Sequence, residues 1–145
     1  MSRKVTVLVR GIHRDYEAGD EQGYHLETHS TGDYHYRDGK HYIRYEDVSE
    51  DGSMSSSNIL KIHKSELEHI KKGDSSAHMR FEAGKLHHTG YTTPMGELMV
   101  GVDTKHLAIV ETVKGISVRV EYELMMNGDK ISDSKIDIII RYMEE

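Results

Sequence analysis

The chain has 145 residues, a formal charge of −6, eleven histidines and no cysteine. One domain, 1–145, of that length buries roughly two-thirds of its unfolded surface without disulfides, and the lack of cysteine excludes thiol catalysis and CxxC zinc sites. Acidic and basic residues interleave, which speaks against the basic stripe a nucleic-acid partner requires, and Arg10 cuts the apolar run Val5 to Val9 too short for a signal-peptide core or membrane span.

A cytoplasmic protein is therefore expected. Period-two alternation recurs between turn signals about every 8 to 12 residues, and helical periodicity is hard to find, the pattern of an all-β sandwich or barrel. Arg3 to His13 alternates with Val5, Val7 and Val9 on one side, and a polar loop, Arg14 to Gly23, leads into the next strand. Asp38-Gly39 is the favoured pair for a two-residue type I′ hairpin turn. That turn sets Tyr36 against His41, Tyr34 against Ile43 and Gly32 against Tyr45 on the expected buried face, which continues back through Ser30, Thr28, Leu26 and Tyr24. The other face carries Asp33 opposite Arg44, a favourable charge pair. Gly32 is expected to mark a bend in the sheet.

Asp51-Gly52 offers a second two-residue turn and extends the buried face from Ile43 to Leu60, from His41 to Ile62 and from Tyr45 to Asn58. A tight turn at Lys64-Ser65 pairs Ile62 with Leu67, although neither turn residue favours positive φ. A three-residue loop, Gly73 to Ser75, pairs Leu67 with Phe81 and His69 with Met79. Ala83-Gly84 then sets Phe81 against Leu86 and Met79 against His88. Pro94-Met95-Gly96 works as a three-residue loop with Gly96 in the left-handed position, giving Gly90 against Val100 and His88 against Val102. Alternation blurs over 105–114, which suits a bent strand or a short helix. At Asn127-Gly128 a two-residue turn competes with a three-residue loop. The loop aligns Val120 with Ile136 and Arg119 with Asp137, satisfying both faces, but sets Glu123 opposite Asp133.

An up-and-down meander of about ten strands has two exposed edges unless the first strand pairs with the last, so a closed antiparallel barrel is expected. Tyr34, Tyr36, Tyr45 and Tyr122 map inward with Asn58, His69 and His88. Such a list of aromatic and sparse polar groups describes a ligand cavity, or equally a small barrel filled by its own side chains. These seven residues are the candidate ligand site. His69 and His88 alone, with no inward Asp or Glu beside them, fall short of the three converging ligands of a catalytic zinc, so neither a metal nor another cofactor is expected. No nucleophile elbow or phosphate loop is visible either, which weighs against an enzyme. Ile59 and Ile70 fall side by side on the outer wall among charged residues, the basis of an alternative in which the protein is a ligand-free interaction module or homodimer.

Asp38-Gly39-Lys40-His41-Tyr42-Ile43-Arg44-Tyr45-Glu46, Met79-Arg80-Phe81-Glu82-Ala83-Gly84-Lys85 and Tyr91-Thr92-Thr93-Pro94-Met95-Gly96 resemble the YwiB-like proteins, a bacterial family of unknown function. The resemblance covers nearly the whole chain and implies a calycin-like, lipocalin-type barrel in a bacterial cytoplasm. Met95 stands where that family is expected to carry an aromatic residue, and the resemblance supplies no catalytic residues.

Overall fold

In the computed structural model, residues 2–15, 24–48, 52 and 55–144 are described. The inward direction expected for Tyr24 and the turn at Asp51 lie outside what is described. Ten strands run in chain order: β1 Arg3–Asp15, β2 Tyr24–Arg37, β3 Lys40–Val48, β4 Ser55–His63, β5 Glu66–Gly73, β6 Ser76–Glu82, β7 Leu86–Thr93, β8 Gly96–Thr112, β9 Gly115–Met126 and β10 Asp129–Tyr142. They form one closed antiparallel barrel in sequential order, with β1 completing the ring against β10. Closure leaves no open sheet edge, the hazard that an unclosed meander would carry. Among the described residues no helix is long and apolar enough to cross a membrane.

The registers from β2 to β6 follow the alternation. Tyr34 pairs with Ile43, Ile43 with Leu60, Ile62 with Leu67 and Leu67 with Phe81. Asp38 and Gly39 take φ of 54° and 78°, the two positive values a type I′ turn demands. At the next tight turn Lys64 accepts φ 52° despite its side chain. Gly32 is needed for proximity, since a Cβ there would collide with the Arg44 carbonyl oxygen. The core packs Val5, Val7, Ile43, Leu60, Ile62, Leu67, Phe81, Val102, Val118, Val120, Tyr122 and Ile140 into one cluster. Each such side chain contributes roughly 1.5–3 kcal/mol relative to exposure.

Three stretches depart from expectation, each for a local reason. Thr93 Oγ1 accepts the Met95 N–H at 3.1 Å and donates to the Gly96 carbonyl at 3.0 Å, which closes the turn over Pro94 and Met95 alone. The β7–β8 ladder is consequently one residue from the expected register, with Thr89 against Val100 and His87 against Val102. At the other end of β7, Gly84 N–H donates to the Thr104 carbonyl at 2.9 Å and Thr104 N–H to the Lys85 carbonyl at 3.2 Å. These bonds draw the turn towards β8, and the β6–β7 ladder keeps only Ser76/Thr92 and Ala77/Tyr91. The pairs Phe81/Leu86 and Met79/His88 therefore do not form, and Leu86 and His88 face outward.

The blurred segment is strand throughout. A bulge at Lys105 inserts one residue between the pairs Thr104/Tyr122 and His106/Glu121. Inward positions are even before it (Val100, Val102, Thr104) and odd after it (Leu107, Ile109, Glu111), because a bulge advances the side-chain phase by one. A second irregularity, at Ile131, reconciles the two turns that compete at Asn127-Gly128. Asp129 pairs with Met126 across a two-residue turn, and beyond Ile131 Val120 pairs with Ile136. Lys130 then bridges the like-charged pair, 2.8 Å from Glu123 and 3.2 Å from Asp133.

Candidate functional site

The inward polar residues divide between the two ends of the barrel. One end, here the near end, holds the start of β1, the finish of β10 and the turn Asp38-Gly39. There the Tyr34 hydroxyl lies 2.8 Å from His41 Nδ1, and His41 Nε2 lies 2.7 Å from Glu111 Oε1. His41 is on β3 and Glu111 on β8, so this contact spans strands that are not neighbours. Tyr142 packs its edge on Tyr34 at 5.2 Å between ring centres, and the Arg3 guanidinium covers Tyr142 at 4.3 Å. Burial first, then the hydrogen bond with Tyr142, push the Tyr34 phenol above its ordinary range, so it stays protonated and is a poor nucleophile. Tyr36 extends past the last inward layer and is 60% exposed, the fate of a strand tip beyond the packed rings.

The opposite, far end carries the turns at Pro94-Met95 and Asn127-Gly128. Here Ser30 Oγ donates to Asp47 Oδ1 at 3.3 Å, Asn58 Nδ2 donates to Asp47 Oδ2 at 3.1 Å, and Asn58 Oδ1 lies 2.8 Å from His69 Nε2. An ionised carboxylate can only accept, so Asp47 orients the Asn58 amide with its oxygen towards His69. That oxygen can also only accept, and His69 must therefore carry its proton on Nε2. Nδ1 is left as a free acceptor, and it has no hydrogen-bond partner among the described residues. Burial, and secondarily the charge of Lys71, push the His69 imidazole down to about 4. The ring is neutral at physiological pH. Tyr45 packs nearby with 4% exposure, and burial followed by the charge of Asp47 raises its phenol.

The far end is incompletely filled. Leu26 and Leu98, both on the inward face by register, are 52% and 45% exposed. Thr28, expected to be covered, is exposed as well. The β2–β3 ladder runs no further than Gly32 and Tyr45, so among the described residues the early part of β2 is paired with β1 alone. Lys71 stands two residues beyond His69 on β5, opposite Asn58 and Ala77, and therefore shares their inward face.

Of the seven expected site residues, Tyr45, Asn58 and His69 come together at the far end. Tyr34 and Tyr36 lie at the near end instead, beside His41. Tyr122 is in the middle of the core, edge-on to Phe81 at 4.9 Å between centres. His88 is outside the barrel beside Gly101, because of the one-residue shift of β7, and His87 takes the inward position and meets Glu82 at 3.2 Å. Glu111 and Lys71 were legible only in part. Glu111 is hidden by the phase change at Lys105, whereas Lys71 continues the His69 face by simple alternation. A concavity of about 580 Å³ lies on the outer wall around Arg10, Ile12 and Lys135. Its charges are largely paired, with Arg119 2.9 Å from Asp137 and Lys135 3.4 Å from Glu121, and of the far-end groups it touches Leu26 but not Asp47, Asn58, His69 or Lys71.

The model of a family described as a domain of unknown function, DUF1934, matches residues 10–138. Among solved structures, the ywiB protein from Bacillus subtilis superposes with a TM-score of 0.83 at 19% identity, covering 99% of this chain and 94% of that one. At that identity the likeness shows a shared fold. No curated protein matches the chain.

Proposed function

We propose that this chain, which belongs to the DUF1934 family, binds a small, partly apolar ligand at the far end of its barrel. One observation carries the reading: the hydrogen-bond chain Asp47–Asn58–His69 ends on an imidazole nitrogen that is oriented, neutral and free to accept. Thr104 Oγ1 is the only fully buried side-chain polar atom without a partner among the described residues, so His69 Nδ1 opens onto solvent within a ligand's reach. Half-exposed Leu26 and Leu98 on the inward face supply the apolar surface that such a ligand would cover. The near-end relay supports catalysis less well, because its hydroxyl is held protonated and already bonded. A bacterial, cytoplasmic setting is part of the same proposal.

A metabolite library screened by thermal shift tests the reading. A ligand at a hundred times its Kd stabilises by about 2.7 kcal/mol, which at this chain length raises Tm by roughly 5–10 °C. The expected result is a shift that disappears in His69→Phe. Absence of any shift, or a shift that His69→Phe leaves intact, contradicts a site at His69. The alternative, self-association through the outer wall, draws on the direct pairing of Ile59 with Ile70 between β4 and β5. Sedimentation over a range of concentrations checks it, and a strict monomer refutes it.

A further inference from the structure

We infer that the far-end site takes a small organic anion: a carboxylate with an apolar tail and a hydrogen-bond donor close to its charged end. The inference rests on the binding reading above and adds the chemical class. Its starting point is Lys71. On the outer wall Lys4, Lys105 and Lys135 have a carboxylate within 4 Å, and lysines without one among the described residues, such as Lys64, Lys72 and Lys114, stand exposed in water. Lys71, on the inward face, has no such partner among the described residues. Asp47, the inward carboxylate of this end, is occupied by Ser30 and Asn58 and makes no ion pair with it. A partly buried cation without a counter-charge is costly, and a bound anion supplies that charge in surroundings where a charge-assisted hydrogen bond is strongest.

His69 sets the second requirement. Its Nδ1 has a lone pair and no proton, so it repels a second acceptor and selects an O–H or N–H. Residues 69 and 71 are two positions apart on one face of a strand, about 6.6 Å between Cα atoms. A ligand that meets both side chains therefore needs its donor within two or three bonds of the carboxylate carbon, the spacing of a 3-hydroxy acid. Leu26 and Leu98 across the mouth receive the rest of the molecule. The four groups come from β5, β2 and β8, so the site is assembled only by closure of the barrel.

Three probes of equal chain length separate these requirements: 3-hydroxyoctanoate has both groups, octanoate lacks the donor, and octane-1,3-diol lacks the charge. Titration of the intact protein, followed by NMR shifts of the His69 ring and by affinity, should rank them in that order at neutral pH. Lys71→Met should weaken both carboxylates about tenfold or more, the size of a lost charge-assisted bond, and leave the diol within about threefold. Lys71→Arg should restore carboxylate binding, and Lys72→Met, on the exposed side of the strand, should leave it unchanged. If the diol binds as tightly as the acids, or Lys71→Met does not discriminate, the anion assignment is overturned while a ligand site remains. If none of the three perturbs His69, the assignment fails whatever other compound the thermal screen finds, and a blank in that screen as well removes the site itself.

Discussion

The two ends of the barrel are built from the same residue types and differ in how their hydrogen bonds terminate. At the near end Tyr34, His41 and Glu111 form a chain that begins on a phenol, finishes on a carboxylate 60% exposed to water, and ties β3 to β8. Every strong donor and acceptor in it has a partner or reaches solvent. At the far end the chain starts on a carboxylate and finishes on the His69 Nδ1 lone pair, beside Lys71, which has no carboxylate partner among the described residues, and half-exposed leucines. A His joined to a carboxylate through a hydrogen bond is thus no signature of function by itself. What distinguishes the two is the group at the end of the chain, a solvated carboxylate at one end and a neutral acceptor beside a cation and apolar side chains at the other.

The comparison presumes a shared, fully packed middle, and the most severe test is made there. Ile43 is fully buried between Tyr34 and Leu60. Ile43→Asp should unfold the domain, because an unpaired carboxylate in that layer costs several kcal/mol against a total stability of about 5–15 kcal/mol; a cooperative urea transition near the wild-type midpoint would contradict this. Next in size is the far end. Asn58→Ala takes the amide from both Asp47, which keeps only Ser30 among the described residues, and His69, a loss of about 2–4 kcal/mol by urea melts. Its near-end counterpart, Glu111→Gln, should cost no more than about 1 kcal/mol because water screens the carboxylate. Equal losses at the two ends would break the contrast.

Protonation sharpens it further. His69 is held neutral in the fold down to about pH 4, whereas an unfolded histidine takes up its proton near 6.5. The unfolded state therefore binds more protons throughout this window, and stability rises with pH across it. The contribution is fully present above 6.5 and is lost as pH falls through about 4, a change of roughly 3 kcal/mol. His69→Gln should flatten that part of the stability profile, and a profile of unchanged slope would count against the buried neutral ring.

Much of this architecture was legible in the sequence. Turn chemistry at Asp38-Gly39 and agreement between both faces of successive hairpins sufficed for the registers from β2 to β6 and for closure of the ring. Interaction between distant strands was not legible. The β7 shift arises from the Thr93 side chain capping its own turn and from Thr104 capturing the backbone of Gly84 and Lys85, and alternation carries no record of either. It removed His88 from the site. The bulge at Lys105 inverted the phase of the following residues, so Glu111 could not be assigned inward without the partner strand. Tyr34 and Tyr45 share a face in the sequence pattern, yet alternation says nothing about which end of the barrel each occupies.

The smallest expected effect concerns the outer wall. Asp33, which faces Arg44 in the ladder, forms its ion pair with Lys4 at 2.8 Å instead. Arg44→Ala should accordingly change stability by no more than about 0.5 kcal/mol. A larger loss in urea melts would give the exposed Arg44 a role that the barrel wall does not explain.

The central claim, that the far end presents a neutral imidazole with a free and oriented acceptor, is open to one direct measurement. Long-range ¹H–¹⁵N correlation spectra of the His69 ring at about pH 6 distinguish the two neutral tautomers and the imidazolium. The account predicts a neutral ring with its proton on Nε2 and a lone pair on Nδ1, and in Asn58→Ala a loss of that fixed preference. An imidazolium at this pH, or a proton found on Nδ1, would mean that the chain from Asp47 does not set the ring, and the far-end site would lose its basis.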